Sequence, residues 1–111
     1  SAEIRASKAF KKAQKEVRAM KKDGNGDHSE KLNEILESYF FEKLRISRSE
    51  MNEERWVKLL KEHHVEESLI ERLTKLYRRL LGSRFAPGVD SSDAQSEELL
   101  AVLKDLEKQW A

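Results

Sequence analysis

Apolar residues return every three or four positions through five separate segments of this 111-residue chain. That spacing places them along one side of an α-helix, whereas a half-buried β-strand would need strict alternation. The chain contains one proline and four glycines, so few residues interrupt a helical pattern. The sequence therefore predicts an all-α fold, a compact bundle of about five antiparallel helices that forms a single domain over residues 1–111.

Residues that start and stop helices stand between the apolar segments. Asp27 and Glu30 have the spacing of a capping box, and Asn52 is a favoured N-cap residue. Gly82 is a natural C-terminal stop. On the third helix Trp56 marks the inner face, and His63 lies on the same face near the helix end. The predicted helices span residues 3–22, 28–44, 53–63, 66–82 and 92–109.

A rigid turn is predicted around the proline, in the segment Arg84-Phe85-Ala86-Pro87-Gly88. Proline fixes its own φ angle, and the glycine that follows accepts turn conformations at little cost. We assign Arg84, Phe85 and Pro87 as the structural residues of this turn.

The chain shows no sign of a catalytic or metal site. It lacks cysteine, which excludes disulfides and thiol catalysis, and no serine has the neighbouring histidine and acid that a nucleophile needs. His63 and His64 are adjacent and would project about 100° apart on a helix, which is unsuitable for zinc. We therefore predict that the chain is not an enzyme and has no cofactor, metal or small-molecule substrate.

One polar loop resembles a calcium loop. Asp23, Asn25, Asp27 and Glu34 match four of the ligand positions of an EF-hand. The glycine that the loop needs at its sixth position is His28 here, so the sharp turn is missing. We predict a polar loop that does not bind calcium.

Charge is balanced overall but uneven along the chain. Twenty-two basic and 21 acidic residues give a net charge of +1, and Glu66 and Glu67 open the fourth helix, where a DNA-reading helix would meet phosphates. We therefore predict no nucleic-acid binding.

Residues 1–22 carry eight bases against two acids, whereas residues 90–111 carry six acids against two bases. Such runs are usually solvated faces, but the first also suits an anionic membrane surface or another polyanion. The candidate lipid contacts are Lys8, Lys11, Lys12 and Lys15.

Three aromatic residues stand in a row near the end of the second segment, Tyr39, Phe40 and Phe41. At about 100° per residue, with Leu32 set at 0°, Tyr39 and Phe40 fall within about 80° of Leu32, but Phe41 falls at about 180°. Phe41 is therefore either covered by the first helix or exposed. Our hypothesis is that it belongs to a partner-facing or self-association patch.

Four short motifs stand in order along the chain. They are Lys8-Ala9-Phe10-Lys11-Lys12-Ala13, Tyr39-Phe40-Phe41-Glu42-Lys43-Leu44 followed by Ile46, Val65-Glu66-Glu67-Ser68-Leu69-Ile70, and Arg84-Phe85-Ala86-Pro87. Taken in this order, they resemble the C-terminal cytoplasmic domain of the BatD (Bacteroides aerotolerance, or oxygen-tolerance) membrane protein family. The resemblance extends over nearly the whole chain, from Ala9 to Trp110, and the order and spacing of the motifs together carry it. The chain departs from the family pattern at His64, where the family tends to have glycine, and at Phe41, where it tends to have a small or polar residue.

The resemblance implies a function without catalysis. This chain would be the tail of a longer membrane-anchored protein, on the cytoplasmic face of a bacterial inner membrane. Its expected partners are other Bat-type membrane proteins with von Willebrand A-type domains, or a MoxR-type ATPase, in oxygen or stress tolerance. The basic first helix would then lie on the side of the membrane where Lys and Arg concentrate.

Overall fold

Helices account for nearly all of the structure, a computed structural model that describes residues 6–24, 27–82 and 92–110. Within those ranges there is no β-strand, and one 3₁₀ turn, Arg48–Glu50, follows the second helix. The all-α prediction of a five-helix bundle is confirmed. The helices are α1 (Lys8–Lys22), α2 (Ser29–Leu44), α3 (Glu53–Glu62), α4 (Glu67–Gly82) and α5 (Ser92–Trp110).

Side-chain caps decide where two of the helices begin. Ser7 has extended backbone angles, and its Oγ accepts a hydrogen bond from the backbone N–H of Phe10 at 3.1 Å. α1 therefore starts at Lys8, five residues after the predicted start. Asn52 caps α3 as predicted, because its side-chain oxygen accepts from the N–H of Arg55 at 2.8 Å.

The predicted capping box of α2 was wrong. His28 occupies the N-cap position and makes no side-chain cap hydrogen bond. Asp27 still satisfies a free backbone donor, since its Oδ1 accepts from the N–H of Ser29 at 2.9 Å. The Glu30 side chain is exposed and does not reach back to cap the helix.

The turn between α3 and α4 differs from the prediction for His63. That residue is the C-cap of α3 and is exposed rather than buried on the inner face. His64, with φ at 60°, turns the chain out of the helix before another inward position is reached. The His63 ring meets the edge of Trp110, with ring centroids 5.5 Å apart.

Hydrogen bonds between distant residues fix the directions of the helices. The start of α1 meets the end of α5 through Ser7 and Glu107, and the start of α4 meets the end of α5 through Glu66 and Gln109. The start of α2 meets the start of α5 through Ser29. α1 and α4 therefore run opposite to α2 and α5, and each of these helices is antiparallel to the one that follows it among the four.

The core lies around α2, which contacts α1, α4 and α5. A series of aromatic rings crosses the core. Phe40 stacks on Trp56 with centroids 5.5 Å apart, and Trp56 meets the edge of Tyr77 at 5.5 Å. Trp56 is fully buried, as predicted. The largest fully buried side chains are Trp56, Tyr39, Phe40, Leu32, Ile35, Leu36, Leu60, Leu73, Leu76, Leu99, Leu103 and Leu106.

The turn residues Arg84, Phe85 and Pro87 lie outside the described residues. Their assignment as a structural turn stays a prediction.

Replacing Trp56 with alanine tests the core. Because the indole is fully buried between two other rings, we expect Trp56→Ala to lower the free energy of unfolding by about 3–5 kcal/mol, measured by urea denaturation. Leu81→Ala is the control, since Leu81 is exposed and its loss should change the free energy by less than about 0.5 kcal/mol. Equal small effects of both changes would contradict this core.

Candidate functional site

A buried carboxylate, Glu107, holds one end of the bundle together. Its Oε1 accepts from the backbone N–H of Ser7 at 2.7 Å, and its Oε2 accepts from the Tyr39 hydroxyl at 2.6 Å. Lys43 Nζ lies 3.3 Å from Oε2. The indole N–H of Trp110 in turn donates to the Tyr39 oxygen at 2.8 Å. The cluster therefore joins the start of α1, the end of α2 and the end of α5.

The protonation states of this cluster are set by its hydrogen bonds. Burial alone would raise the pKa of Glu107, but the bonds from Tyr39 and Ser7 and the charge of Lys43 hold that pKa below its ordinary value. Burial, followed by the neighbouring carboxylate, raises the pKa of Tyr39. At neutral pH the carboxylate is thus charged and the phenol is protonated. Glu107 is 6% exposed and Tyr39 1%, so the pair acts as a structural clamp.

The loop that resembles a calcium site uses one of its acids for another purpose. The Asp27 carboxylate accepts from both the hydroxyl and the N–H of Ser29, at 2.6 and 2.9 Å. These two bonds lower the pKa of Asp27. The side chain is therefore committed to the start of α2, and the absence of calcium binding stays a prediction.

In residues 6–24, 27–82 and 92–110 there is no group of three or more His, Asp or Glu side chains arranged to hold a metal ion. Over the same residues no helix combines the length and the apolar character that a membrane crossing needs.

Phe41 is the most exposed large apolar side chain among the described residues, with 47% of its surface accessible. The sequence left open whether α1 would cover it. α1 instead packs on the adjacent arc of α2, where Tyr39 and Glu42 line the contact with Ala9 and Ala13. Phe41 therefore faces outward.

Phe41 forms one wall of a shallow groove of about 280 Å³. Glu37 and Ser38 line the same side of α2, and Ser47 and Arg48 line the opposite side. The groove exists because the chain reverses at Arg45, which has a left-handed backbone with φ at 59°, and then runs back beside α2. We call these five lining residues the Phe41 groove.

The bases of α1 form the second exposed surface. Lys8, Lys11 and Lys15 are exposed on the side of α1 that faces away from the bundle. Lys12 differs, because its Nζ lies 3.0 Å from Glu42 Oε1, and this contact raises the pKa of Lys12. Lys12 therefore belongs to the contact between α1 and α2.

The prediction of lipid contacts omitted two members of this face. Arg18 and Lys22 are also exposed and continue the row. The signal was visible in the sequence, since positions 8, 11, 15, 18 and 22 follow one another at spacings of three and four. We call Lys8, Lys11, Lys15, Arg18 and Lys22 the basic stripe.

A second depression, about 740 Å³, runs along the outer face of α3. Among the described residues it is lined only by side chains of that one helix, Glu53, Glu54, Val57, Lys58, Lys61 and Glu62. Three acids and two bases lie on this open surface without converging on one point, so the depression indicates no defined chemistry.

No protein-family model matches the chain, and neither does a curated protein or a solved structure. The resemblance to the BatD family therefore remains an expectation from the sequence. The candidate functional surfaces are the Phe41 groove and the basic stripe.

Glu107→Gln tests the buried cluster. A glutamine amide can accept from only one side, so its NH₂ group would face either the Ser7 donor or the Tyr39 hydroxyl and Lys43. We expect the free energy of unfolding to fall by about 1–3 kcal/mol at neutral pH, measured by urea denaturation.

The pH dependence of the free energy lost in Glu107→Gln shows whether Glu107 is held as a carboxylate. A carboxyl whose pKa is lowered by folding stabilises the native state above its ordinary pKa of 4.5 and loses this effect as the pH falls through the lowered value. The difference between wild type and Glu107→Gln should therefore narrow as the pH falls below 4.5. A difference that stays constant with pH would mean that Glu107 is not held as a carboxylate.

Proposed function

We propose that this domain is a non-catalytic protein-interaction module and that the Phe41 groove is its contact surface. The observation that carries the proposal is the 47% exposure of a phenylalanine on a helix whose other aromatic residues, Tyr39 and Phe40, are buried. Apolar surface that is rimmed by polar residues marks many binding sites, and polar residues line the groove beside Phe41. Aromatic and arginine side chains are the types enriched at the centres of protein interfaces.

The backbone beside the groove supports the same reading. Arg45 follows α2 in the left-handed region, where glycine is the usual residue. A non-glycine residue in this conformation costs about 1 kcal/mol. We therefore infer that the Arg45 side chain contributes to binding. Arg45 is exposed, so its guanidinium adds a cation to the surface four residues after Phe41 in the chain. Arg48 contributes a second one, which is shared with Glu37 at 3.8 Å.

The partner follows from the resemblance and from the chemistry of the groove. We propose a von Willebrand A-type domain of a Bat-type membrane protein, with a MoxR-type ATPase as the next member of the assembly. The complementary surface would offer an apolar recess for Phe41 and a carboxylate for Arg45. The chain would then act at the cytoplasmic face of a bacterial inner membrane, as part of a membrane-anchored protein in oxygen or stress tolerance.

Phe41→Ser tests this proposal. An exposed ring contributes little to folding, so the melting temperature should stay within a few degrees of wild type. Binding to a purified von Willebrand A-type domain, measured by isothermal titration calorimetry, should weaken at least about tenfold.

Leu81→Ser is the matched control for this test. Leu81 is 39% exposed and lies on α4, so the change removes a similar exposed apolar side chain from another surface. It should leave binding unchanged. Equal weakening by both substitutions, or unfolding caused by Phe41→Ser with binding retained in the folded fraction, would overturn the proposal.

A further inference from the structure

The basic stripe is a straight row of charge along the outside of α1. At about 100° and 1.5 Å per residue, its five members lie within an arc of about 80° and along about 21 Å of the helix. Phe10, Ala13 and Val17 occupy the opposite side of the helix and are buried. The apolar seam that holds α1 to the bundle therefore forces the stripe outward.

The stripe lacks compensating charges. None of its five members forms an ion pair with any described residue. Glu16, the acid within α1, interacts electrostatically with Lys12, and several acids of α2 and α5 pair with other bases. Glu42 pairs with Lys12, and Glu98 and Asp105 of α5 both pair with Arg72 of α4, at 3.1 and 2.8 Å. The positive field of α1 is thus open to solvent.

The residue types of the stripe favour a diffuse anionic surface over a shaped ligand. Four of the five are lysines, which carry a compact, hydrated charge on a flexible stem. Lysine is depleted at the centres of protein interfaces, where aromatic residues and arginine are enriched, and the stripe has no aromatic residue. A protein partner therefore suits the Phe41 groove better than the stripe.

The isoelectric point favours a lipid surface over nucleic acid as the anionic partner of the stripe. Domains that bind nucleic acid usually have a pI above about 9, whereas this chain has a pI of about 7.9. A lipid surface is flat on this scale and meets only one face of the protein. The molecule is 24 Å across at its narrowest. Acids on the side away from the bilayer are therefore farther from the lipid than the Debye length, which is about 8 Å at physiological salt.

We propose that the basic stripe is an electrostatic docking surface for a bilayer leaflet of anionic phospholipids. The apolar face of α1 is buried in the bundle, so the helix lies on the headgroups without inserting. Attraction comes from the five cations and decreases as salt is added. Phe41 is outside the contact between α1 and α2, so the groove stays open when the stripe is bound.

Vesicle binding by the whole chain tests this proposal. The probes are sonicated vesicles of phosphatidylcholine alone and of phosphatidylcholine with phosphatidylserine, followed by sedimentation at low and high salt. Wild type should bind the anionic vesicles at low salt, release them at high salt and ignore the neutral ones.

Two triple variants with the same net charge separate the stripe from charge in general. Lys11→Gln, Lys15→Gln and Arg18→Gln together remove the middle of the stripe. Lys58→Gln, Lys75→Gln and Lys104→Gln together remove three exposed bases of α3, α4 and α5 that have no ion pair with a described residue. We expect the stripe variant to lose binding by about a hundredfold and the matched variant to keep it within about threefold.

Circular dichroism should show both triple variants folded, because all six side chains are exposed. Phe41→Ser should bind vesicles as wild type does, which separates this proposal from the function of the groove. Equal losses in the two triple variants, no binding to anionic vesicles, or tighter binding to a DNA duplex than to the vesicles would each overturn the proposal.

Discussion

The enclosure of α2 is the constraint on which the rest of the structure depends. α1, α4 and α5 all pack against it, and the segment that follows it folds back along its end. Leu32, Leu36 and Phe40 are completely buried as a result. A helix surrounded in this way has only a narrow free arc, and Phe41 lies on it. The exposure of Phe41 is therefore a consequence of how the neighbouring helices divide the surface of α2.

The two exposed surfaces arise from the same packing. α1 uses all of its larger apolar side chains to contact the bundle, so its bases are left on the outside. Lys12 is the exception, because the helix packs with that residue at the edge of α2, within reach of Glu42. At the end of the bundle, Glu107 fixes the start of α1 against α2 and α5. The clamp holds the basic stripe in a constant orientation relative to the groove.

Local patterns were sufficient to predict the helices but not how they meet. The periodicity of apolar residues predicted five helices and the burial of Trp56, because both depend on residues a few positions apart. The Glu107 clamp was missed, since Ser7 is 100 positions away in the chain and nothing local distinguishes this glutamate. The pairing of Lys12 with Glu42 was missed for the same reason. His63 was placed inside because a regular helix was assumed up to that residue, whereas the left-handed His64 ends it.

The solvent exposure of the Phe41 ring can be measured directly by comparison with the buried phenylalanine rings. A soluble gadolinium chelate relaxes ring protons according to their distance from solvent, and proton NMR can compare Phe10, Phe40 and Phe41 in one sample. We expect strong relaxation of the Phe41 ring and weak relaxation of the Phe10 and Phe40 rings, which are 6% and 0% exposed. A Phe41 ring as protected as that of Phe40 would mean that another part of the chain covers it, and it would contradict the interaction surface.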